Sequence, residues 1–308
     1  MLDNLLTVAM QVLILFLLML VGYIFGKTKL LNDRAVSGIT NLVLYVATPA
    51  AILQSFTSEI KTADKTRNLF FLFLGSVLIH IIAILVVKLL IHNKDEQKSR
   101  VMRFAAIFSN CGYMSFPLQK AILGDIGVFY GAMFVAVFNV ILWTYGTFLM
   151  SGDKKNIEPK KLLLNPTIIS VVLAVCLYAT CIKPPTFLSG ALTHLGNLNT
   201  PLPMIVIGYN LSTFNIAKIF TDKNIYLPTA TRLILVPLLS LGVLYLIGIK
   251  EIPLIACTVA ASAPVAAVSA MFADKFGGDS VLGAKIVSFS TLLSILTMPI
   301  FVAIAQMI

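Results

Sequence analysis

Ten stretches of about 20 mostly apolar residues, set between short polar tracts, constrain this chain more than any other feature. They run over 5–25, 37–56, 69–91, 101–123, 127–150, 165–182, 188–211, 226–247, 252–273 and 281–307. A bilayer's hydrocarbon core is about 30 Å thick and a helix rises about 1.5 Å per residue, so each stretch can span it. The spacing predicts an all-α polytopic membrane protein with ten transmembrane helices. Of the 308 residues, 58% are hydrophobic and 12% charged, where soluble domains carry about 45–50% and about 25%. That balance excludes a soluble enzyme domain, a secreted disulfide scaffold and a disordered chain. The first stretch follows Asp3, with no Lys or Arg before it, and is too long for a signal-peptide core, so it is read as a true span.

The net charge of +10 invites a nucleic-acid reading. Its distribution argues against one, because the basic residues lie in short tracts between apolar runs rather than on one polar face. Counted on alternate sides of the spans, 17 of the 23 Lys and Arg fall on one side, among them Lys27, Lys88, Arg103, Lys160, Lys218, Lys223, Arg232 and Lys275. The other side has Lys61, Lys65, Arg67, Lys120, Lys183 and Lys250. Basic residues are retained on the cytoplasmic face, which places both termini on the non-cytoplasmic side of a multi-pass plasma membrane protein. Cys111, Cys176, Cys181 and Cys257 sit in apolar stretches without CxxC spacing, so they are read as packing residues. No metal or cofactor is implied.

A constant offset suggests a duplication. Pro49 and Pro203 lie 154 residues apart, as do Asn110 and Pro264, Lys120 and Asp274, and the Gly124–Asp125 and Gly278–Asp279 pairs. With five spans per half, the second copy is inverted: 1–151 forms the first repeat, 152–162 a short cytoplasmic linker and 163–308 the second repeat. The fourth stretch carries Asn110, Cys111, Gly112 and Pro117, and the ninth carries Pro264 and Val265. A proline inside a helix removes a backbone donor and clashes with the preceding turn, so both stretches are expected to break near the membrane centre. Matched breaks in inverted repeats point to a transporter's binding site. The half-helix N-termini there suit a carboxylate.

Side-chain candidates around the breaks are Asn110, Thr48 beside Pro49, Asn139, Thr144, Asn199, Thr200, Ser290 and Thr291. Pro201 and Pro203 thin the seventh span as Pro49 thins the second. Asp125 and Asp279 fall at helix ends, where capping or ion pairing is expected. His80, His92 and His194 are scattered and read as packed or interfacial. No Asp or Glu lies near the centre of a span, which argues against a carboxylate proton relay.

These residues resemble the auxin efflux carrier family, whose bacterial members include malate and malonate permeases. The resemblance is carried by 41–56 with Tyr45 and Pro49, by 109–118 with Asn110, Gly112 and Pro117, and by Asn165–Pro166. It continues in 263–278 with Pro264, Phe272 and Ala273, and in Thr291 and Pro299. It implies two inverted five-helix repeats, with broken helices four and nine crossing at the substrate site and scaffold and transport bundles interleaved from both repeats. Asn110 matches the asparagine that meets the substrate carboxylate in related plant carriers. Pro264 matches the proline of helix nine, and Thr48, Thr144 and Asn199 map to neighbouring positions. Homodimers through scaffold helices are also implied. Residues 152–159 replace the long plant loop, so its regulation is not carried over. The expectation is a secondary transporter of a small organic anion, such as malate or an auxin-like acid, working by alternating access. A sodium-coupled carrier of bile-acid type is the rival. A membrane-embedded enzyme would need a catalytic pair that the chain lacks.

Overall fold

The computed structural model describes residues 2–213 and 221–308, with side chains from Val8 onward. Lys218, counted above for orientation, lies outside the described residues. Helix α1 spans Leu2–Lys27, α2 Asp33–Ser58 and α3 Ala63–Leu90. Helix α4 spans Glu96–Ile107, and α5 begins with the π turn Cys111–Ser115 and continues over Phe116–Leu123. Helix α6 covers Asp125–Ser151, α7 Pro159–Leu163, α8 Pro166–Thr180, α9 Thr186–Asn197 and α10 Pro201–Ser212. The rest are α11 Lys223–Leu246, α12 Glu251–Ser262, α13 Val268–Lys275 and α14 Ser280–Ala305. Among the described residues the structure is all-helical, with one isolated bridge between Ser109 and Val265.

Helices α1, α2, α3, α6, α11 and α14 are long and apolar enough to cross a bilayer, and the segment Lys154–Leu163 with α8 makes a seventh candidate bent by 46°. The other apolar stretches are interrupted. The fourth breaks between α4 and α5 and the ninth between α12 and α13, as expected. The seventh also breaks, at 198–200, where a continuous span over 188–211 was expected. Proline supplies much of the irregularity. The π turns Val43–Ala47, Cys111–Ser115 and Thr231–Leu235 are followed two residues later by Pro49, Pro117 and Pro237. A proline cannot donate to the carbonyl four residues back and pushes it aside, which widens the preceding turn.

Burial separates periphery from interior. Helix α1 exposes Met10, Leu13, Leu17 and Leu20, and α3 exposes Phe70, Phe73, Leu85 and Leu89. By contrast α6 buries Phe129, Ala132, Phe134 and Val135, and α12 buries Ala256, Cys257, Ala260 and Ala261. Helix α1 packs on α10, α2 on α8 and α9, and α6 on α12, α3 and α5. Of the four cysteines, Cys111 and Cys257 are packed as expected, whereas Cys176 and Cys181 are exposed.

The α1–α10 contact depends on missing side chains. A Cβ at Gly208 would collide with the Met19 carbonyl, and one at Gly22 with the Ile205 carbonyl. Helices pack this closely in lipid, where small residues let backbones approach and dispersion replaces the hydrophobic effect. Gly208→Leu is therefore expected to destabilise the protein by about 3 kcal/mol. At Gly242, where a Cβ meets nothing within 4 Å, Gly242→Ala should shift stability by less than about 1 kcal/mol. Thermal unfolding in detergent compares the two.

Candidate functional site

The two interrupted segments meet. Residues 108–110, after α4, run antiparallel to 264–266, after α12, and exchange backbone hydrogen bonds. The Asn110 amide donates to the Pro264 carbonyl at 2.7 Å, and the Ala266 amide donates to the Phe108 carbonyl at 2.9 Å. The Val265 amide between them donates to Ser290 Oγ on α14 at 3.1 Å. Three freed donors thus find protein acceptors at a place where lipid offers none. Phe104 stacks on Phe108 at 4.5 Å and on Phe272 at 5.1 Å, which packs the crossing in aromatic rings.

Some polar groups there remain unpaired. Asn110 is 6% exposed, yet its carboxamide bonds to no described residue and does not cap α5. The Ser109 hydroxyl is buried with no hydrogen-bond partner of normal geometry among the described residues. Helix α5 starts at Cys111 with no side-chain cap, and its first amides have no intrahelical acceptor. A Cβ built on Gly112 meets nothing within 4 Å, so space opens beside these groups. Carboxamide, hydroxyl and helix N-terminus together can donate hydrogen bonds to an oxyanion.

The other sequence candidates divide. Thr48 donates to Asn199 Oδ1 at 2.8 Å, joining α2 to the α9–α10 break, with Pro49 next in the chain. Thr200 follows Asn199 on the same break. Asn139 is engaged by other partners: it donates to the Val135 carbonyl at 2.8 Å and accepts from Asn165 at 3.1 Å, joining α6 to α8. Thr144 and Thr291 bond back to their own helices, at Val140 and Val287. Asp279 caps α14 through the Leu282 amide at 2.8 Å, and Asp125 pairs with Lys120, as their positions at helix ends suggest. His80 is packed, bonded to the Ser76 carbonyl at 2.7 Å beside Phe134.

A cleft lies on one side of the crossing, between α2, α5, α6 and the α9–α10 break. It is lined by Ala51, Gln54, Phe116, Lys120, Asp125, Val128, Gly196, Asn197, Asn199 and Thr200. Gln54 reaches Asp125 Oδ2 at 3.5 Å, extending the Lys120–Asp125 pair across the cleft. Of the sequence candidates, Asn199 and Thr200 line it.

One charged residue is placed wrongly by the sequence count. Arg232 was assigned to a loop, but it lies inside α11, 1% exposed, in the π turn Thr231–Leu235. Its Nη1 donates to the Ile107 carbonyl at 2.8 Å and its Nη2 to the Ala261 carbonyl. A signal existed: position 232 falls within the apolar stretch 226–247, and an ionisable residue inside a span marks a functional position. Ser109 was missed as well, since an isolated serine in an apolar run carries no signal of its own.

An all-helical multi-pass protein whose broken helices cross at a cluster of unpaired donors belongs to the class of membrane carriers. Residues 7–302 match the family described as "Membrane transport protein", and the chain belongs to it. It is similar to an uncharacterized transporter of Methanothermobacter thermautotrophicus, 24% identical over 94% of this chain and 96% of the relative. An uncharacterized transporter of Methanocaldococcus jannaschii is 26% identical over 65% of this chain and 68% of the relative. A protein of Rhizobium meliloti provisionally named a malonate transporter is 22% identical over 93% and 92%.

The crossing and the outlying hydroxyls should respond differently to mutation. Ser290→Ala leaves the Val265 amide buried without an acceptor and should cost about 1–3 kcal/mol. Thr144→Val removes a bond that only serves its own helix and should stay within about 0.5 kcal/mol. Thermal melts of the two variants test the contrast.

Proposed function

We propose that the chain is a secondary transporter for a small organic anion, a mono- or dicarboxylate such as malonate or malate, with the carboxylate held at the crossing. The observation that carries this reading is the Asn110 carboxamide, on a residue only 6% exposed and bonded to no described residue, beside the uncapped start of α5. A carboxamide that finds no described protein partner beside open space is free to donate to a ligand that accepts its hydrogen bonds. The relative named for malonate supports a short dicarboxylate.

The wider architecture is read as ten spans in two inverted repeats. Helix ends repeat near the 154-residue offset: α4 at Glu96–Ile107 against α12 at Glu251–Ser262, and α2 at Asp33–Ser58 against α9 and α10 at Thr186–Asn197 and Pro201–Ser212. Alternating access then moves the crossing bundle against α1, α2, α8, α9 and α10, with the Lys120–Asp125 cleft as one approach. The reading keeps both termini on the non-cytoplasmic face of the plasma membrane, because moving Arg232 into a span leaves sixteen basic residues against six. Pairing of two copies through the scaffold helices is part of the same proposal. An inside-negative potential favours anion exit by about 2.3 kcal/mol per charge per 100 mV, so efflux needs no coupling ion.

Protein in liposomes tests the reading with labelled malonate, malate and an auxin. Asn110→Ala should lower carboxylate flux at least about tenfold and abolish carboxylate-dependent thermal stabilisation, since losing a hydrogen bond to a charged group costs about 1.5–3 kcal/mol. Gly112→Leu, which fills the open space, should do the same with the fold intact. Undiminished flux in both variants removes the crossing as the binding site.

A further inference from the structure

The crossing carries a second, opposite surface that the anion reading leaves unused. Arg232 holds the Ile107 and Ala261 carbonyls, which lie at the C-terminal ends of α4 and α12. These two acceptors are themselves 154 residues apart, the offset of the internal repeat, so one side chain from one half grips equivalent points of both. No described carboxylate pairs with it, and its Nε has no partner among the described residues.

A buried guanidinium without an acid needs its charge offset elsewhere. Each helix C-terminus carries about half an elementary negative charge, so two converging C-termini supply about one. The balance closes at a single guanidinium. In broken-helix carriers, unwound carbonyls and half-helix C-terminal ends are the groups that coordinate a coupling sodium ion. Here the corresponding carbonyls are occupied by a cation fixed to the chain.

We propose that Arg232 is a tethered cation that locks the C-termini of α4 and α12 together, so that the crossing holds no exchangeable metal cation and binds its anion without sodium. Arg232 is thus a positioning residue: it holds the half-helix ends while Asn110 and the α5 N-terminus face the anion. The flux half of this inference rests on the carrier reading above; the locking half does not.

The test uses purified full-length protein melted in sodium chloride and in choline chloride at equal ionic strength, and malonate flux measured in liposomes in the same salts. Wild-type melting temperature and flux should be unchanged between salts. Arg232→Ala should melt lower by about 5 °C or more, and low-millimolar guanidinium should restore part of that loss while choline does not. Arg232→Lys, keeping a charge, should melt above Arg232→Met, which keeps the bulk alone; this pair decides the matter if the alanine variant does not fold. Stabilisation or flux of the wild type that requires sodium overturns the proposal, as does Arg232→Met melting like wild type, or an alanine variant indifferent to guanidinium. If the melts behave as expected while malonate moves in neither salt, the locking assignment stands and the malonate reading falls.

Discussion

Inside a bilayer a broken helix releases backbone groups with no water to receive them, and this structure depends on how that demand is met. The two interruptions answer each other. Asn110 bonds to Pro264, Ala266 bonds to Phe108, and Val265 is received by Ser290 from a third helix. The released carbonyl ends at Ile107 and Ala261 are received by Arg232 from a fourth. Neither break can be remade alone, because each holds the other's partners. Helices α4, α5, α12 and α13 are therefore tied together through the crossing.

That mutual satisfaction also decides which polar groups remain for a ligand. An amide that donates across the bridge is spent, so the midplane is less generous than two bare half-helix ends would be. Among the described residues, the groups left include the Asn110 carboxamide, the Ser109 hydroxyl, the Ser269 hydroxyl and the uncapped turn starting at Cys111. On the proposed reading, that set is matched to a small oxyanion rather than to a large polar molecule.

The fold was legible where physics acts along the chain. Apolar run length, Asn110 with Gly112, and Pro264 sufficed to indicate an all-helical membrane chain and to place the breaks of the fourth and ninth stretches, because lipid thickness and proline's missing donor are local constraints. Legibility failed where a side chain's partner decides its role. Thr144 and Thr291 look like site hydroxyls in sequence, yet each finds a carbonyl one turn back on its own helix, as such hydroxyls commonly do. Asn139 is claimed by Asn165. Arg232 was given to a loop by a rule that assumes arginine stays at the membrane edge. Two converging helix C-termini make an exception that only three-dimensional placement reveals. The break at 198–200 was half visible, since Pro201 and Pro203 were noted as thinning the span.

Among the described residues no full positive charge faces the unpaired groups of the crossing, and this bears on the proposed function. At about 4 Å and an effective dielectric of about 20, a unit charge attracts an anion by about 4 kcal/mol, whereas the half-charge of a helix N-terminus gives about half of that. Each 1.4 kcal/mol is about a tenfold change in affinity, so the difference is worth more than tenfold in dissociation. The chain does possess a buried cation at the crossing, but Arg232 is turned to the carbonyl ends of α4 and α12. At the cleft, Lys120 is already paired with Asp125. Under the proposed function a carboxylate would therefore meet partial charges at the cleft and at the crossing, and a carrier that must release its cargo on the far side would gain turnover from attraction that is never strong enough to trap it.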